Sequence, residues 1–178
     1  EAGGICKAQF DAAKTMTDQI ASFGLLVNHP DEATRIEAID AFYATWQSDD
    51  LVLDKWFALQ ASSVLPGALA RVEALILHPA FDLKNPNKVR AVLGAFCQNN
   101  HRHFHAEDGS GYAFLSDKIK ALDALNPQIS ARLATPFTRW QRFDATRQAA
   151  MQGELKHLSS TSLSADLREI VDKSLVDA

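Results

Sequence analysis

The chain has 178 residues, 47% of them apolar and 22% charged, which suits a single globular domain and is too apolar for disorder. Its 18 basic and 22 acidic residues give a net charge of −4, without the positive excess that phosphate neutralisation in a nucleic-acid binder requires. No window approaches the roughly 18 to 20 continuous apolar residues of a membrane span, and Glu1-Ala2-Gly3-Gly4 does not start a signal peptide, although a longer parent chain would place its own start elsewhere.

Residues 1–9 read as a linker or an added start, and residues 10–178 as one domain. Ile36, Ile39, Phe42, Tyr43 and Trp46 line one face of a helix, with Asp31 and Glu32 at its positive end and Pro30 able to begin the first turn. After the polar break Ser48-Asp49-Asp50, a second helix carries Leu51, Leu53, Trp56 and Phe57. A third follows Pro66 with Leu69, Val72, Leu75 and Ile76. Proline recurs in His29-Pro30, His78-Pro79, Asn85-Pro86 and Asn126-Pro127, each ahead of an amphipathic run. An Asn before Pro is kept out of the α region and so caps the helix that follows.

Val89, Val92, Leu93 and Phe96 continue the pattern. Residues 98–111, with Asn99-Asn100 and Gly109-Ser110-Gly111, read as the longest irregular connection, its glycines allowing positive φ and Ser110 capping the next helix. Helical spacing resumes at Tyr112, Leu115, Ile119 and Leu122, again through Phe137, Trp140, Phe143 and Met151, and finally at Leu163, Leu167, Ile170 and Val171. No β-type alternation appears. The fold class is all-α, an α-solenoid-like array of about 8–10 helices.

Few residues announce chemistry. There is no His-Glu-x-x-His, Cys-x-x-Cys, glycine-rich phosphate loop or nucleophile elbow. Cys6 and Cys97, far apart among apolar neighbours, read as core residues of a cytosolic protein rather than a disulfide framework. His101, His103 and His105 with Glu107 and Asp108 are residue types that zinc accepts. Their place beside Asn99-Asn100 and Gly109 favours a polar connection whose side chains bond helix ends. Arg132, Arg139, Arg142 and Arg147, with only Asp144 against them, read as a solvated or salt-bridged helix face rather than an anion site. Arg90 and Arg132, shortly after Pro86 and Pro127, have the planar fork that clamps carboxylates, though spacing alone favours surface salt bridges.

A set of strings in order then carries a resemblance: Met16-Thr17-Asp18, Leu53-Asp54-Lys55-Trp56-Phe57, Asn85-Pro86-Asn87-Lys88-Val89-Arg90, Phe104-His105-Ala106-Glu107-Asp108-Gly109-Ser110-Gly111-Tyr112, Asn126-Pro127 and Arg132-Leu133. From about Phe10 to its end, the chain closely resembles the C-terminal helical domain of the bacterial aminopeptidase N family, zinc metallopeptidases of the gluzincin class. The resemblance implies a right-handed helical superhelix that caps the catalytic domain of the same polypeptide, encloses the active-site cavity and controls peptide access. It implies a zinc ion and all catalytic residues in that other domain, with none bound or supplied by this chain, which alone is expected to be inactive. It implies that Arg90 and Arg132 line the substrate cavity, and that the parent is a cytoplasmic enzyme of peptide catabolism with no nucleic-acid or membrane partner. His101 and His103 fall outside the shared string, which weakens the metal reading. Without those strings, periodicity would fit a free-standing helical-repeat module that binds a protein or peptide equally well.

Overall fold

The computed structural model describes residues 2–176; Glu1 and residues 177–178 lie outside the described part. Helices α1 (Ala2–Ala12), α2 (Met16–Leu26), α3 (Glu32–Trp46), α4 (Asp50–Ala61) and α5 (Ala68–Ile76) lead into a short α6 (Pro86–Val89). Without a break, α6 becomes a π-helix, Arg90–Asn99. Then come α7 (His101–Phe104), α8 (Ser110–Asp123), α9 (Pro127–Leu133), a 3-10 segment (Thr135–Arg142), α10 (Ala145–Ser159) and α11 (Ala165–Val176). No strand occurs among the described residues. Each of α1 to α4 packs against its successor, α4 and α5 hold the π-helix, and α8 to α11 close a second group. The all-α solenoid-like array is as expected, with eleven α-helices among the described residues where about 8–10 helices were expected.

Caps fix the helix starts. Asn85 Oδ1 accepts from Asn87 N–H at 2.9 Å and Asn126 Oδ1 from Ile129 N–H at 3.2 Å, with Pro86 and Pro127 in the first turn where no N–H is needed. Asp31 caps α3, so Pro30 lies before the cap rather than in the helix. No helix starts at Pro79; residues 79–85 are turns leading to the Asn85 cap. Residues 2–9, read above as a linker, form most of α1. Phe10 at its end packs on Phe23 and Phe42, whose rings stack at 4.4 Å.

Residues 98–111 are more ordered than their composition suggests. The π-helix runs to Asn99 and α7 follows after the capping Asn100, leaving residues 105–109 as the longest irregular stretch. Buried Asn100 ties this segment to the end of α4, its Nδ2 donating to Ala61 O at 3.1 Å and Ser63 O at 2.9 Å. Gly109 has φ +70° and caps α8, while Ser110 is already helical and bonds back to Asp108. Gly111 has no positive φ; it is glycine because α8 starts against the backbone of α7. The spacing from Phe137 to Met151 is broken at Phe143, where the 3-10 segment ends and Asp144 caps α10.

The tryptophans lie in the core but satisfy their indoles on distant chain. Trp46 Nε1 donates to Gln19 Oε1 at 2.9 Å, Trp56 Nε1 to Ile39 O at 3.0 Å, and Trp140 Nε1 to Ser174 O at 3.0 Å. Each bond ties neighbouring layers while the ring fills the space between them.

Candidate functional site

The π-helix sets the geometry of the main concavity. Its i→i+5 bonding widens the turn, which brings residues four, five, eight and nine apart onto one face. Arg90, Gly94, Ala95, Gln98 and Asn99 share that face and form one wall of a cavity of about 490 Å³. An α-helical turn would carry Ala95 and Asn99 away from Arg90. Arg132 and Ile129 of α9 line the same cavity. Two arginines 42 positions apart, each delivered by an Asn-Pro-started helix, therefore face one space that no carboxylate lines.

Among the described residues, neither arginine forms the salt bridge that spacing suggested. Arg90 Nε donates to Pro86 O at 3.3 Å and its Nη2 donates to Asn87 Oδ1, both neutral acceptors. The Arg132 side chain has no ion pair or hydrogen bond among the described residues. Gly94 keeps the wall open: a Cβ there would meet only Arg90 Cβ, at 3.8 Å.

A second cavity, of about 390 Å³, adjoins the first through Gln98 and is lined by His101, His105, Arg139 and Arg142. The four-arginine stretch is thus not one helix face. Arg147 alone behaves as expected, pairing with Asp144 at 2.6 Å and Glu107 at 3.8 Å and donating from Nε to His105 O at 2.8 Å.

The three histidines do not converge on a metal. His103 Nε2 lies 2.9 Å from Val64 O, His105 Nδ1 lies 2.8 Å from the Tyr112 hydroxyl, and His101 stacks on His105 at 5.9 Å. Among the described residues no group of three or more His, Cys, Asp or Glu could hold an ion. Cys97 is buried, which pushes its thiol pKa upward, and Cys6 is likewise unpaired.

Burial, helped by His101 and Arg147, lowers the His105 pKa from 6.5 to about 4, so the ring is neutral at pH 7. The unfolded chain takes up this proton first, so the stabilisation is full above about pH 6.5 and is lost as pH falls toward 4. With a discount for partial exposure, His105 is expected to account for on the order of 1 to 2 kcal/mol of that loss. Urea unfolding at pH 7 and pH 4.5 checks this: His105→Gln should flatten the difference, leaving a slope from His78, which burial also lowers.

Gly94 and Gln98 are site residues that the sequence did not single out, and Arg139 and Arg142, read there as a solvated or salt-bridged helix face, line the second cavity. The available signal was the chain's basic bias around 132–147, but the π and 3-10 turns that aim these residues have no pattern of their own.

Comparison with known proteins agrees with the helical array. A family model described as "Domain of unknown function (DUF3458_C) ARM repeats" matches residues 1–176. Aminopeptidase N of Escherichia coli (strain K12) is 40% identical over 172 residues, a match covering 94% of this chain and 19% of that protein. Aminopeptidase N of Haemophilus influenzae (strain ATCC 51907 / DSM 11121 / KW20 / Rd) is 39% identical over 172 residues, with 96% and 20% covered. Legionella pneumophila aminopeptidase A, whose crystal structure is in complex with aspartic acid, superposes with a TM-score of 0.93 at 35% identity, over 99% of this chain and 21% of that one. The chain thus spans about a fifth of the length of the relatives it matches. Matched by one family model over nearly its whole length, it belongs to the ARM-repeat family described as DUF3458_C, a helical domain homologous to part of aminopeptidase N.

Proposed function

We propose that this chain is the non-catalytic helical domain of a cytoplasmic, zinc-dependent aminopeptidase N, packed over the catalytic part of the same polypeptide. There it encloses the active-site cavity and limits access to short peptides, from which the parent releases N-terminal residues in peptide catabolism. The carrying observation is that Arg90 and Arg132 meet across one acid-free cavity of about 490 Å³. A guanidinium without a carboxylate partner is a ready donor to a peptide's carboxylate. Two of them on a concave wall would draw peptide ends inward.

In this reading the zinc ion and the bond-breaking step belong to the rest of the parent; among the described residues of this chain no group of three or more His, Cys, Asp or Glu could hold an ion. That remainder would cover part of the surface on which Leu51 (71% exposed) and Leu77 (84% exposed) now lie bare. Free thiols at Cys6 and Cys97 suit a reducing compartment.

Domain removal and add-back tests the reading. A catalytic fragment ending before Glu1 should cleave a small chromogenic aminoacyl substrate but lose discrimination against long peptides, and added chain should restore it. Equal discrimination with and without the domain, in fragments active on the small substrate, would sink the access role.

A further inference from the structure

The second cavity carries charge of one sign. Arg139 and Arg142 stand on one edge, His101 and His105 on another, and no carboxylate lines it. The arginine edge follows from the 3-10 turn, in which residues three apart eclipse one another. Pro136, Arg139 and Arg142, three apart, all line the cavity, while Phe137 and Trp140 between them are buried. The backbone kinks at Arg139 (φ −111°, ψ 18°) and the segment ends at Arg142.

Neither guanidinium is engaged. Among the described residues, no hydrogen bond or ion pair reaches the side chain of Arg139 or Arg142. The nearest acid in sequence, Asp144, is held by Arg147, whose N–H and guanidinium donate to it at 3.0 and 2.6 Å. His105 gives its Nδ1 to Tyr112, which leaves Nε2 as the ring's remaining polar atom. Two fixed positive charges sharing one concavity repel unless an anion lies between them. Guanidiniums bind carboxylate and phosphate oxygens through paired N–H bonds. Phe143 and Pro136 add an apolar wall, and the volume exceeds what a bare ion needs.

We propose that this cavity is an oxyanion site, in which Arg139 and Arg142 bind a carboxylate or phosphate group. The site goes beyond the peptide-access reading and stands without it, because its ligand is held by this chain alone. Calorimetric titration of the chain at low salt tests it in two arms, one with inorganic phosphate and one with an N-acetylated triglutamate peptide. Saturable one-site binding is expected in at least one arm. Phosphate alone would mark a free-anion site, the peptide alone a site for a carboxylate on an organic chain, and both a general oxyanion site.

Arg139→Ala/Arg142→Ala should weaken that binding by about ten- to a hundredfold. Arg139→Lys/Arg142→Lys, which keeps the charge but loses the fork, should fall between. Lys84→Ala/Lys156→Ala removes the same charge elsewhere and should bind like the parent sequence. All four substituted side chains are exposed, so the variants should retain the parent's circular dichroism and melting behaviour. Absence of saturation in both arms, or equal binding by the double alanine variant and the lysine control, would overturn the proposal.

Discussion

Gly111→Ala is expected to destabilise the chain by about 3 kcal/mol or more, and to be the most damaging Gly→Ala change among its described glycines. A Cβ at this position would lie 2.3 Å from Phe104 O, 2.9 Å from Phe104 C and 3.0 Å from Phe104 Cα. All three are backbone atoms, so no rotamer change relieves the clash. Helix α8 would have to move off α7, which separates the fully buried Phe104 and Tyr112, whose rings now meet edge-on at 5.3 Å. The same motion pulls Tyr112 from His105, at the rim of the second cavity. Gly109→Ala, two residues earlier, is limited by its φ of +70° and a 3.3 Å approach to Ala150, and should cost about 1 to 2 kcal/mol. Gly4→Ala meets nothing within 4 Å and serves as the neutral control. Urea midpoints for the three variants check the order. A Gly111→Ala variant as stable as Gly4→Ala would mean that α7 and α8 do not approach as described.

Lys88→Ala should follow, at about 3 kcal/mol. Lys88 is 3% exposed, and its ammonium donates to Asp54 Oδ1 at 2.8 Å, Asp50 Oδ1 at 3.2 Å and Asp50 O at 3.3 Å. It also lies 5.9 Å above the Phe57 ring. Asp50, 86% exposed, gains little from the pair, whereas Asp54, 19% exposed, would be left half-buried without its cation. Lys88→Met keeps most of the stem and loses only the charge, so its loss measures the stranded Asp54. Adding Asp54→Asn to Lys88→Met should recover most of it. Recovery of nothing would show that the pair contributes only packing. The consequence reaches the site, because Lys88 pins α6 to α4 immediately before Arg90.

The sequence displayed most of the fold through apolar periodicity and Asn-Pro caps, as Phe42, Trp56, Val72 and Leu115 illustrate: each lies on its predicted face and is buried. Helix α1 stayed hidden because its run from Ala2 to Ala12 is rich in small residues and has Phe10 as its one large core anchor. Ile36 and Leu51 had the right spacing but lie at 48% and 71% exposure. Residues 98–111 misled in the other direction. Their polar and glycine residues do not mark a loose loop; they supply the side-chain bonds and close backbone approach that let α7 and α8 turn sharply.

Site residues were legible only in part. Arg90 and Arg132 entered through their strings, and the structure brings both to one cavity. Arg139 and Arg142 were visible as charge, yet their common edge depends on a three-residue repeat that apolar spacing of 137, 140 and 143 also satisfies in an α-helix. The ten-residue π-helix left no mark at all. Its wider turn is sustained by packing of the π segment against α4 and α5, a tertiary effect.

The measurement that bears most directly on the peptide-access role is the steady-state cleavage, by the intact parent enzyme, of matched peptides with free or amidated C-termini. Arg90→Ala/Arg132→Ala should raise KM for the free-acid peptides about five- to tenfold, with kcat little changed and the amidated peptides nearly unaffected. Such a split would place the two arginines on the peptide's path through a charge-assisted contact. Equal kinetics for acid and amide forms in both the parent and the double variant would contradict it, and would leave this cavity as a feature of the helical array alone.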